Sequence, residues 1–551
     1  MRKTRVKQII FSIILSLIIC YIQVANADSL VTRDDFMCYD TTLGYPDRSV
    51  WPSVAIDAAG NLYEIDYVTL GQGFSFQQFN RFDKFGNQLQ PVTVFLPDTI
   101  SDSIWESVAS LPIYCNDIGK VLISTKAEKD TVTLELFSRI FAYLFDENGA
   151  PHAEDPVCML CEPEYLPYIS NRPYGAINNN NVIAMVCEVY PHQNLVTKDS
   201  VLIRLYYQDI DSMSSVINAM FLPHPLLGVP NYEGKYDIFS EPAIGLADDN
   251  SFAVAWNASD YGSPYSHVFY AVFNADGTPR TDAMMADCSA GYMDTANCAT
   301  ENVHRLDMMM EPDGDFYIVW FESQLNSFYW VRNHIWVRGF NADGTPKYDP
   351  VRVNDADTTW LLLQQVIHPT LACDSLGNVL VFWSDARLHP DNGASQKLDV
   401  FAQKVDPTGN LVGHNMRINN IPGIAGIHGL HFDCDINDAG QAVFIWRDFA
   451  PEHRIRAQLM PYDQVGRFTP GDINADLSGN IADLTSMVRY MFKGGDDVYW
   501  PRNILDFNAD SSNGNIADLT YLVNYFFKGG SAPNTPDEGI RPNMGKFNPW
   551  E

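Results

Sequence analysis

The chain of 551 residues is long enough for more than one domain, and it carries 68 acidic against 36 basic side chains, a formal net charge of −32 at pH 7. Such an acidic surface repels nucleic acid and anionic membranes, so neither is expected as a partner. The charge suits a protein that binds cations.

The N-terminal residues have the pattern of a secretory signal peptide. Four basic side chains within residues 2–7 precede an apolar run over residues 9–22, and residues 25–27 read A-N-A, a cleavage site. The pattern predicts removal of residues 1–27 and a secreted, bacterial mature protein. No later run of 18 or more apolar residues occurs, so no membrane insertion is predicted.

A long self-similar array follows. IGLADDNSFAVAW at 244–256 and LACDSLGNVLVFW at 371–383 each combine two apolar strands with a polar turn. Tryptophan recurs at the end of the second strand, as Trp256, Trp320, Trp383 and Trp446. The turn centres fall near residues 60, 119, 180, 250, 313, 377 and 440, which makes seven units.

Each unit contains four short strands, because a second turn such as FNADGTP at 273–279 and 340–346 follows the third strand. Radial repetition of four-stranded units is the design of a β-propeller. The repeats resemble those of secreted bacterial propeller proteins. We therefore predict a mainly β fold with a seven-bladed β-propeller of four-stranded blades over residues 28–466.

The seventh unit has no room for its fourth strand before residue 471. The segment 28–42 is expected to donate that strand, for example through Leu30, Val31 and Thr32. The repeated tryptophans are predicted to pack between blades and not to bind a ligand.

The loops after the second strands are the candidate ligand sites of the ring, at 257–267, 322–333 and 384–397. Tyr261, Tyr265, Tyr329 and Trp330 supply aromatic faces there, on which a glycan or a peptide could stack. Packing of loop against strand explains the same aromatic residues, and the sequence leaves both explanations open.

Two near-copies of one acidic segment end the chain, GDINADLSGNIADLTSMVRYMFKGG at 471–495 and LDFNADSSNGNIADLTYLVNYFFKGG at 505–530. The first loop offers oxygen ligands at the spacing that wraps a hard cation such as Ca²⁺, and these are Asp472, Asn474, Asp476, Asn480 and Asp483, with the backbone carbonyl of Ser478. A helix is predicted after each loop. Its apolar face is Leu484, Met487, Val488 and Met491 in the first copy, and Leu519, Leu522, Val523 and Phe526 in the second.

This pair of segments resembles the type I dockerin family over residues 471–530. The resemblance implies a small α-helical domain with paired calcium loops, whose second set of ligands is Asp506, Asn508, Asp510, Asn515 and Asp518. It also implies a cohesin-like partner, recognised in either of two orientations through Ile481, Ala482, Ile516 and Ala517. A calcium-stabilised helical cap without a partner explains the same segments, and the sequence leaves both explanations open. Two departures are Leu477, at a position where the family usually has glycine, and one extra residue within 511–514.

Two functions follow from these features. The first is a secreted, non-catalytic binding or scaffold protein, whose propeller displays loops to a glycan or a protein and whose tail attaches it through Ca²⁺. G-x-S-x-G, H-E-x-x-H and P-loop motifs are absent from the sequence, which favours this function. The alternative is a dockerin-bearing glycoside hydrolase or polysaccharide lyase. Residues 531–551 form a C-terminal tail without a clear pattern.

Overall fold

The computed structural model is mainly β. It describes residues 33–37, 49–70, 74–89, 93–95, 106–108, 113–130, 136–151, 157–158, 168–191, 200–209, 212–221, 238–259, 266–287, 303–325, 331–354, 367–385, 398–419, 432–448, 455–466, 471, 473, 479–492, 505, 507–508 and 514–533.

The described strands form seven antiparallel sheets, numbered here by chain order. Sheet 1 contains β2 (Ser49–Ile56), β3 (Leu62–Leu70), β4 (Phe74–Phe82) and β5 (Thr93–Phe95). Sheet 2 contains β6 (Glu106–Val108), β7 (Ile113–Cys115), β8 (Val121–Asp130), β9 (Leu136–Phe145) and β10 (Val157–Cys158). Sheet 3 contains β11 (Tyr168–Ile177), β12 (Val182–Pro191), β13 (Ser200–Asp209) and β14 (Ser212–Phe221).

The later sheets repeat the same order of strands. Sheet 4 contains β15 (Ile238–Leu246), β16 (Phe252–Ser259), β17 (Ser266–Phe273) and β18 (Met284–Met285). Sheet 5 contains β19 (Val303–Met310), β20 (Phe316–Leu325), β21 (Val331–Phe340) and β22 (Val351–Arg352). Sheet 6 contains β23 (Ile367–Cys373), β24 (Val379–Asp385), β25 (Asp399–Val405) and β26 (Leu411–Arg417). Sheet 7 contains β27 (Phe432–Ile436), β28 (Gln441–Arg447), β29 (Ile455–Pro461) and the N-terminal strand β1 (Arg33–Met37).

The sheets follow one another around a ring. From sheet 3 to sheet 7 the first strand of each sheet contacts the first strand of the next, and β27 of sheet 7 contacts β2 of sheet 1. Strand β7 of sheet 2 completes the circle by contacting both β2 and β11. Sheets arranged radially around a central axis are a β-propeller.

The turn between the first two strands of each sheet has the same backbone conformation. One residue with positive φ lies in each turn, and these residues are Gly60, Gly119, Asn181, Asn250, Gly314, Gly377 and Gly440. All seven lie at or next to the turn centres that the sequence predicts. At Gly60 a Cβ atom would also stand 2.5 Å from the Gln441 amide oxygen of sheet 7, so a side chain has no space there.

The repeated tryptophans pack between sheets, as predicted. Trp256, Trp320, Trp383 and Trp446 are each at most 1% exposed. Each lies in a cluster that joins its own sheet to the preceding one, as Trp320 does with Ala253 and Tyr270 of sheet 4. Burying an indole in this way contributes about 1.5–3 kcal/mol or more per side chain.

The last sheet is completed by a strand from the other end of the described chain. Strand β1 pairs antiparallel with β29, with Arg33 opposite Leu459 and Met37 opposite Arg456. The pairing strand lies within the segment 28–42, whereas Leu30, Val31 and Thr32 fall outside the described residues. The two ends of the ring are thus held by backbone hydrogen bonds.

Two helices follow the sheets, α1 (Ile481–Phe492) and α2 (Ile516–Lys528), and a 3₁₀ turn precedes them at Tyr462–Gln464. They contact each other. In the described part of the chain, neither helix nor any other is both long and apolar enough to cross a membrane.

Four cysteines of the described sheets form no disulfide there. Cys434 and Cys187 are buried, whereas Cys115 and Cys373 are only half-buried. Cys115, Cys373 and Cys434 all lie on first strands, but only Cys115 and Cys373 occupy equivalent positions, directly before the turn, whereas Cys434 lies two residues earlier in its strand. Burial raises the pKa of all three thiols well above the ordinary value.

Deletion of residues 28–42 is predicted to lower the melting temperature of the propeller by several degrees, because β29 loses its outer pairing strand and the ring loses its closure. Differential scanning calorimetry of the mature chain measures this. A control deletion of residues 537–551, beyond the last described residue, should leave the propeller transition in place. An unchanged transition after loss of 28–42 would contradict this role for β1.

Candidate functional site

The helical unit shares its core with the last sheets. Leu484, Met487 and Leu522 are buried, and they belong to one continuous cluster with Phe444 and Met460 of sheet 7. The remaining members of the two predicted helix faces, Val488, Met491, Leu519, Val523 and Phe526, are partly buried. The predicted apolar faces are therefore the ones that pack.

A carboxylate closes each acidic loop at the start of its helix. Asp483 is fully buried, and its two oxygens accept backbone N–H groups from Ile473 and Asn480, both at 2.7 Å. These donors lie at opposite ends of the first loop. The Asn480 side chain in turn accepts from Ala482 N at 2.7 Å and caps the helix.

The second copy repeats this arrangement. Asp518 is also fully buried and accepts from Asn515 N at 2.9 Å and, more weakly, from Asn508 N at 3.4 Å. Asn515 and Asp518 form a capping box at the start of α2, and Asn515 Oδ1 accepts from Ala517 N at 2.6 Å. The two loops differ by one residue in length, yet both helices begin with the same pair of an asparagine cap and a buried aspartate.

The donor set fits a hard cation. Every candidate ligand supplies oxygen, which is what Ca²⁺ prefers, and each buried carboxylate faces its own loop while keeping lone pairs beyond the N–H groups it accepts. Asn480, Asp483, Asn508, Asn515 and Asp518 are described. Asp472, Asn474, Asp476, Ser478, Asp506 and Asp510 lie outside the described residues. Among the described residues alone, no group of three His, Cys, Asp or Glu side chains is arranged as a metal site.

The predicted partner positions are exposed in both copies. Ile481 is 66% exposed and Ile516 is 61% exposed, and Ala482 and Ala517 beside them are also exposed. A helix of a folded protein usually keeps large apolar side chains away from water. Two isoleucines at equivalent positions of two helices are therefore an unusual pair.

The structure adds two residues that sequence reasoning missed. Phe492 and Phe527 are 63% and 59% exposed, and they are 35 residues apart, as are Ile481 and Ile516. Each phenylalanine lies 11 residues after its isoleucine, about three helical turns, and so on the same side of the helix. Two features of the sequence could have found these phenylalanines. They recur at the spacing of the two copies, and they do not belong to the predicted apolar face of either helix. We call Ile481, Ala482 and Phe492 the first exposed face, and Ile516, Ala517 and Phe527 the second.

Around the axis of the ring, side chains of successive first strands are joined by hydrogen bonds. Thr370 Oγ1 lies 2.7 Å from Asp307 Oδ2 of sheet 5 and 3.2 Å from Asp433 Oδ1 of sheet 7. Ser53 Oγ of sheet 1 donates to Asp433 Oδ2 at 2.6 Å and accepts from Ile113 N of sheet 2 at 3.1 Å. These side chains connect five consecutive sheets.

The same carboxylates also accept backbone N–H groups across sheets. Leu371 N donates to Asp307 at 3.1 Å, Val54 N donates to Asp433 at 3.1 Å, and Ile56 N donates to Asp435 at 2.8 Å. Burial raises the pKa of Asp433 to about 6 and that of Asp435 to about 7. Asp307, Asp433 and Asp435 therefore act as structural bridges between first strands.

A carboxylate–guanidinium pair joins sheets 4 and 5 at irregular points of their first strands. Glu241 and Arg305 both have positive φ, 55° and 50°, where the strand register shifts. Arg305 Nε lies 3.3 Å from Glu241 Oε1, and Arg305 N donates to Glu241 Oε2. Left-handed backbone at a non-glycine residue costs energy, and it persists here where the surrounding contacts enforce it.

A second set of acidic residues lies two positions after three of the repeated tryptophans. Glu322 accepts from Trp336 Nε1 at 2.6 Å, Asp448 accepts from Arg456 Nε at 2.5 Å, and Asp385 lies 3.4 Å from Trp383 Nε1. All three are buried. Glu322 and Asp385 lie at the start of two loops proposed from sequence as ligand sites. The bonds of Glu322 and Asp448 join neighbouring strands of one sheet. The aromatic candidates in those loops, Tyr261, Tyr265, Tyr329 and Trp330, lie outside the described residues.

Comparison with known proteins assigns no family. No protein-family model matches the chain, and no curated protein matches it. Among solved structures, similar chains include a protein of unknown function from Dyadobacter fermentans, with 12% identity, a TM-score of 0.40, and coverage of 79% of this chain and 99% of that one.

Two further similar structures are carbohydrate-active enzymes. An ulvan lyase of polysaccharide lyase family PL25 shares 10% identity, a TM-score of 0.45, and coverage of 76% of this chain and 95% of that one. An α-L-arabinanase from Penicillium chrysogenum shares 9% identity, a TM-score of 0.38, and coverage of 79% and 99%. At these values the likeness assigns neither an activity nor a substrate to this chain.

The buried axial carboxylates predict a loss of stability as pH rises from about 4 to 7. Their folded pKa values, about 6 for Asp433 and about 7 for Asp435, exceed the value of about 3.9 for an unfolded aspartate. The folded state therefore binds more protons in this window, and each pKa unit corresponds to about 1.4 kcal/mol. The melting temperature should fall between pH 5 and pH 8, and it should fall less in Asp435→Asn.

An exposed aspartate provides the control. Hydrogen bonds from Thr278 lower the pKa of Asp276, so Asp276→Asn should keep the wild-type difference between pH 5 and pH 8. Equal slopes in wild type and Asp435→Asn would refute the assignment.

Proposed function

We propose that this protein is secreted, that its sheets form a seven-bladed β-propeller displaying loops to a glycan or a protein, and that its C-terminal unit is a dockerin-like calcium module that attaches the propeller to a cohesin-like partner. The observation that carries the proposal is the duplicated exposed face. Ile481 and Phe492 on α1, and Ile516 and Phe527 on α2, are all more than half exposed at equivalent positions.

Calcium would be held by the oxygens of the two loops, Asp472 to Asp483 and Asp506 to Asp518. When bound, Ca²⁺ neutralises clustered carboxylates and joins oxygens from both ends of a short loop. Within the chain, Asp483 and Asp518 accept hydrogen bonds from backbone N–H groups of their loops, and each thereby fixes the first turn of its helix to its loop. The helix start in turn fixes the direction of Ile481 and Ala482, or of Ile516 and Ala517.

The two exposed faces favour a protein partner over a structural cap. A cap would bury its apolar side chains against the propeller, as Leu484, Met487 and Leu522 do. Ile481 and Phe492 in the first copy, and Ile516 and Phe527 in the second, are instead more than half exposed. Exposed apolar residues grouped in this way are typical of interaction sites.

The described part of the propeller favours binding over catalysis. Its axial carboxylates Asp307 and Asp433 accept hydrogen bonds from neighbouring strands, and the buried acids at the loop starts are engaged by Trp336 and Arg456. An acid–base pair needs carboxyl groups that face a substrate. Turnover of a polysaccharide by the purified full chain would overturn the non-catalytic function and favour the dockerin-bearing hydrolase or lyase.

Calorimetric titration with Ca²⁺ tests the calcium module. The Asp472→Ala/Asp506→Ala variant should bind two fewer Ca²⁺ ions than the wild-type mature chain, since each loop loses its first oxygen ligand. Asp276→Ala/Asp343→Ala is the matched control, because it removes two exposed turn carboxylates of the propeller. Retention of all sites in the loop variant would refute the calcium module.

Charge placed on the exposed faces tests the partner surface. Ile481→Asp and Ile516→Asp should each weaken binding to a cohesin module by only a few-fold, because the other face remains available. The double variant should weaken binding by about 30-fold or more, as loss of a central apolar anchor does. Surface plasmon resonance in Ca²⁺ measures this, with Leu376→Asp, on an exposed propeller turn, as control. Equal binding by the double variant would contradict the surface.

A further inference from the structure

The chain that leads from the propeller to the helices is fixed to sheet 6. Tyr462, the first residue of the 3₁₀ turn after β29, donates its backbone N–H to Gly440 O of sheet 7 at 2.7 Å. Its hydroxyl donates to Val379 O of sheet 6 at 3.3 Å. Lys404 of sheet 6 donates to Asp463 O at 3.1 Å, and its Nζ lies 5.2 Å from the centre of the Tyr462 ring. The turn therefore bridges sheets 6 and 7.

The residues that follow this turn run beside the outer strand of sheet 6. His414 N of β26 donates to Gly466 O at 3.1 Å, and Gly466 N donates to Met416 Sδ at 3.3 Å. Gly466 has a φ of 70°, and a Cβ atom there would stand 2.8 Å from His414 O. Because that distance is too short for a side chain, glycine is what lets the chain pass this close to β26. We call residues 462–466 the joint.

One apolar cluster spans the joint. Val465 is fully buried, and its cluster includes Phe382 and Met416 of sheet 6 and Phe444 of sheet 7. The same cluster contains six side chains of the helical unit, which are Ile473, Leu484, Met487, Leu505, Phe507 and Leu522. Units joined by a large apolar interface do not move independently of each other.

Two of these side chains come from the acidic loops themselves. Ile473 directly follows Asp472, and Phe507 directly follows Asp506, so each lies next to the first candidate ligand of its loop. Ile473 is 1% exposed and Phe507 is 0% exposed. Ile473 N also donates to Asp483 Oδ1, at the start of α1, at 2.7 Å. The position of each loop is therefore tied to the core that the helical unit shares with sheets 6 and 7.

We propose that the helical unit and sheets 6 and 7 form one cooperative folding unit across the joint, through which Ca²⁺ bound at the C-terminal loops controls the stability of the propeller. This inference rests on the calcium module proposed above and gives that module a regulatory role. A ligand that binds only the folded form stabilises every part that unfolds together with its site. Calcium sites of extracellular modules have dissociation constants of about 10⁻⁴–10⁻³ M, so the ring is expected to be less stable where Ca²⁺ is scarce.

Hydrogen–deuterium exchange of the full mature chain, measured by mass spectrometry in CaCl₂ and in EGTA, tests this coupling. Ca²⁺ should slow amide exchange about tenfold or more in α1 and α2, and also in β26 and β29 of the ring. The Asp472→Ala/Asp506→Ala variant should lose both effects. Asp276→Ala/Asp343→Ala, which removes two exposed turn carboxylates, should keep both. Slowing that is confined to residues 471–530 would overturn the proposal.

Calorimetric titration of the same samples separates failure of this inference from failure of the calcium module. Two Ca²⁺ sites in the wild-type chain, with unchanged exchange in β26 and β29, would refute the coupling and leave the module standing. No Ca²⁺ binding, with no change in exchange anywhere, would refute both.

A pair of glycine substitutions tests the joint. Gly466→Ala should reduce the rise in melting temperature that Ca²⁺ gives the propeller, because its Cβ atom forces the chain away from β26. Gly440→Ala is the matched control, since Gly440 has a similar φ of 76° and nothing stands within 4 Å of its Cβ position. Both variants carry the cost of alanine in left-handed backbone, so only the difference between CaCl₂ and EGTA is compared. The same difference in both variants and in the wild type would overturn coupling across the joint.

Discussion

The ring depends on hydrogen bonds between first strands of neighbouring sheets. A single sheet of this chain has two apolar faces and cannot bury both, so each sheet needs a neighbour on either side. Buried tryptophans and the aliphatic and aromatic side chains around them supply apolar contact between sheets, but apolar packing is not directional and does not by itself fix how one sheet sits against the next. Asp307, Thr370, Asp433 and Ser53 supply directional bonds at positions that repeat along the chain, and so they fix this arrangement. Asp433 bonds to sheets 6 and 1 at once and therefore holds the place where the ring closes.

Closure also explains why polar atoms concentrate near sheets 7 and 1. The junction joins residues almost 400 positions apart, and β1 pairs with β29 on the outer side of it. Asn437 Nδ2 donates to Asp57 O and Gln441 Nε2 donates to Lys84 O across the same junction. These two hydrogen bonds cross the junction that is entropically hardest to form, because it joins the two ends of the propeller chain.

The C-terminal unit extends the last sheets instead of standing apart from them. Its buried side chains belong to the cluster that contains Phe444 and Met460, so the packed sides of α1 and α2 are already used. What remains for a partner is the outward side, where the duplicated isoleucines and phenylalanines lie. The proposed attachment surface therefore lies on helices that are already held in place by a buried core. Because these helices are ordered before binding, less entropy is lost when a partner binds.

Much of the architecture can be predicted from the amino-acid sequence, because turn chemistry and strand alternation are local properties. The positions of the seven turns, the packing role of the tryptophans and the helices after each acidic loop all follow from residues close together in the chain. Asp433 and Asp307, in contrast, look like ordinary strand residues, and only the approach of neighbouring sheets makes them bridges. Phe492 and Phe527 could not be told from core residues until the packing of α1 and α2 left them outside. Ile473 and Phe507 are apparent in the sequence only as apolar residues inside two acidic loops; their burial in a core that includes side chains of sheets 6 and 7, a property of the tertiary structure alone, is what joins the loops to the ring.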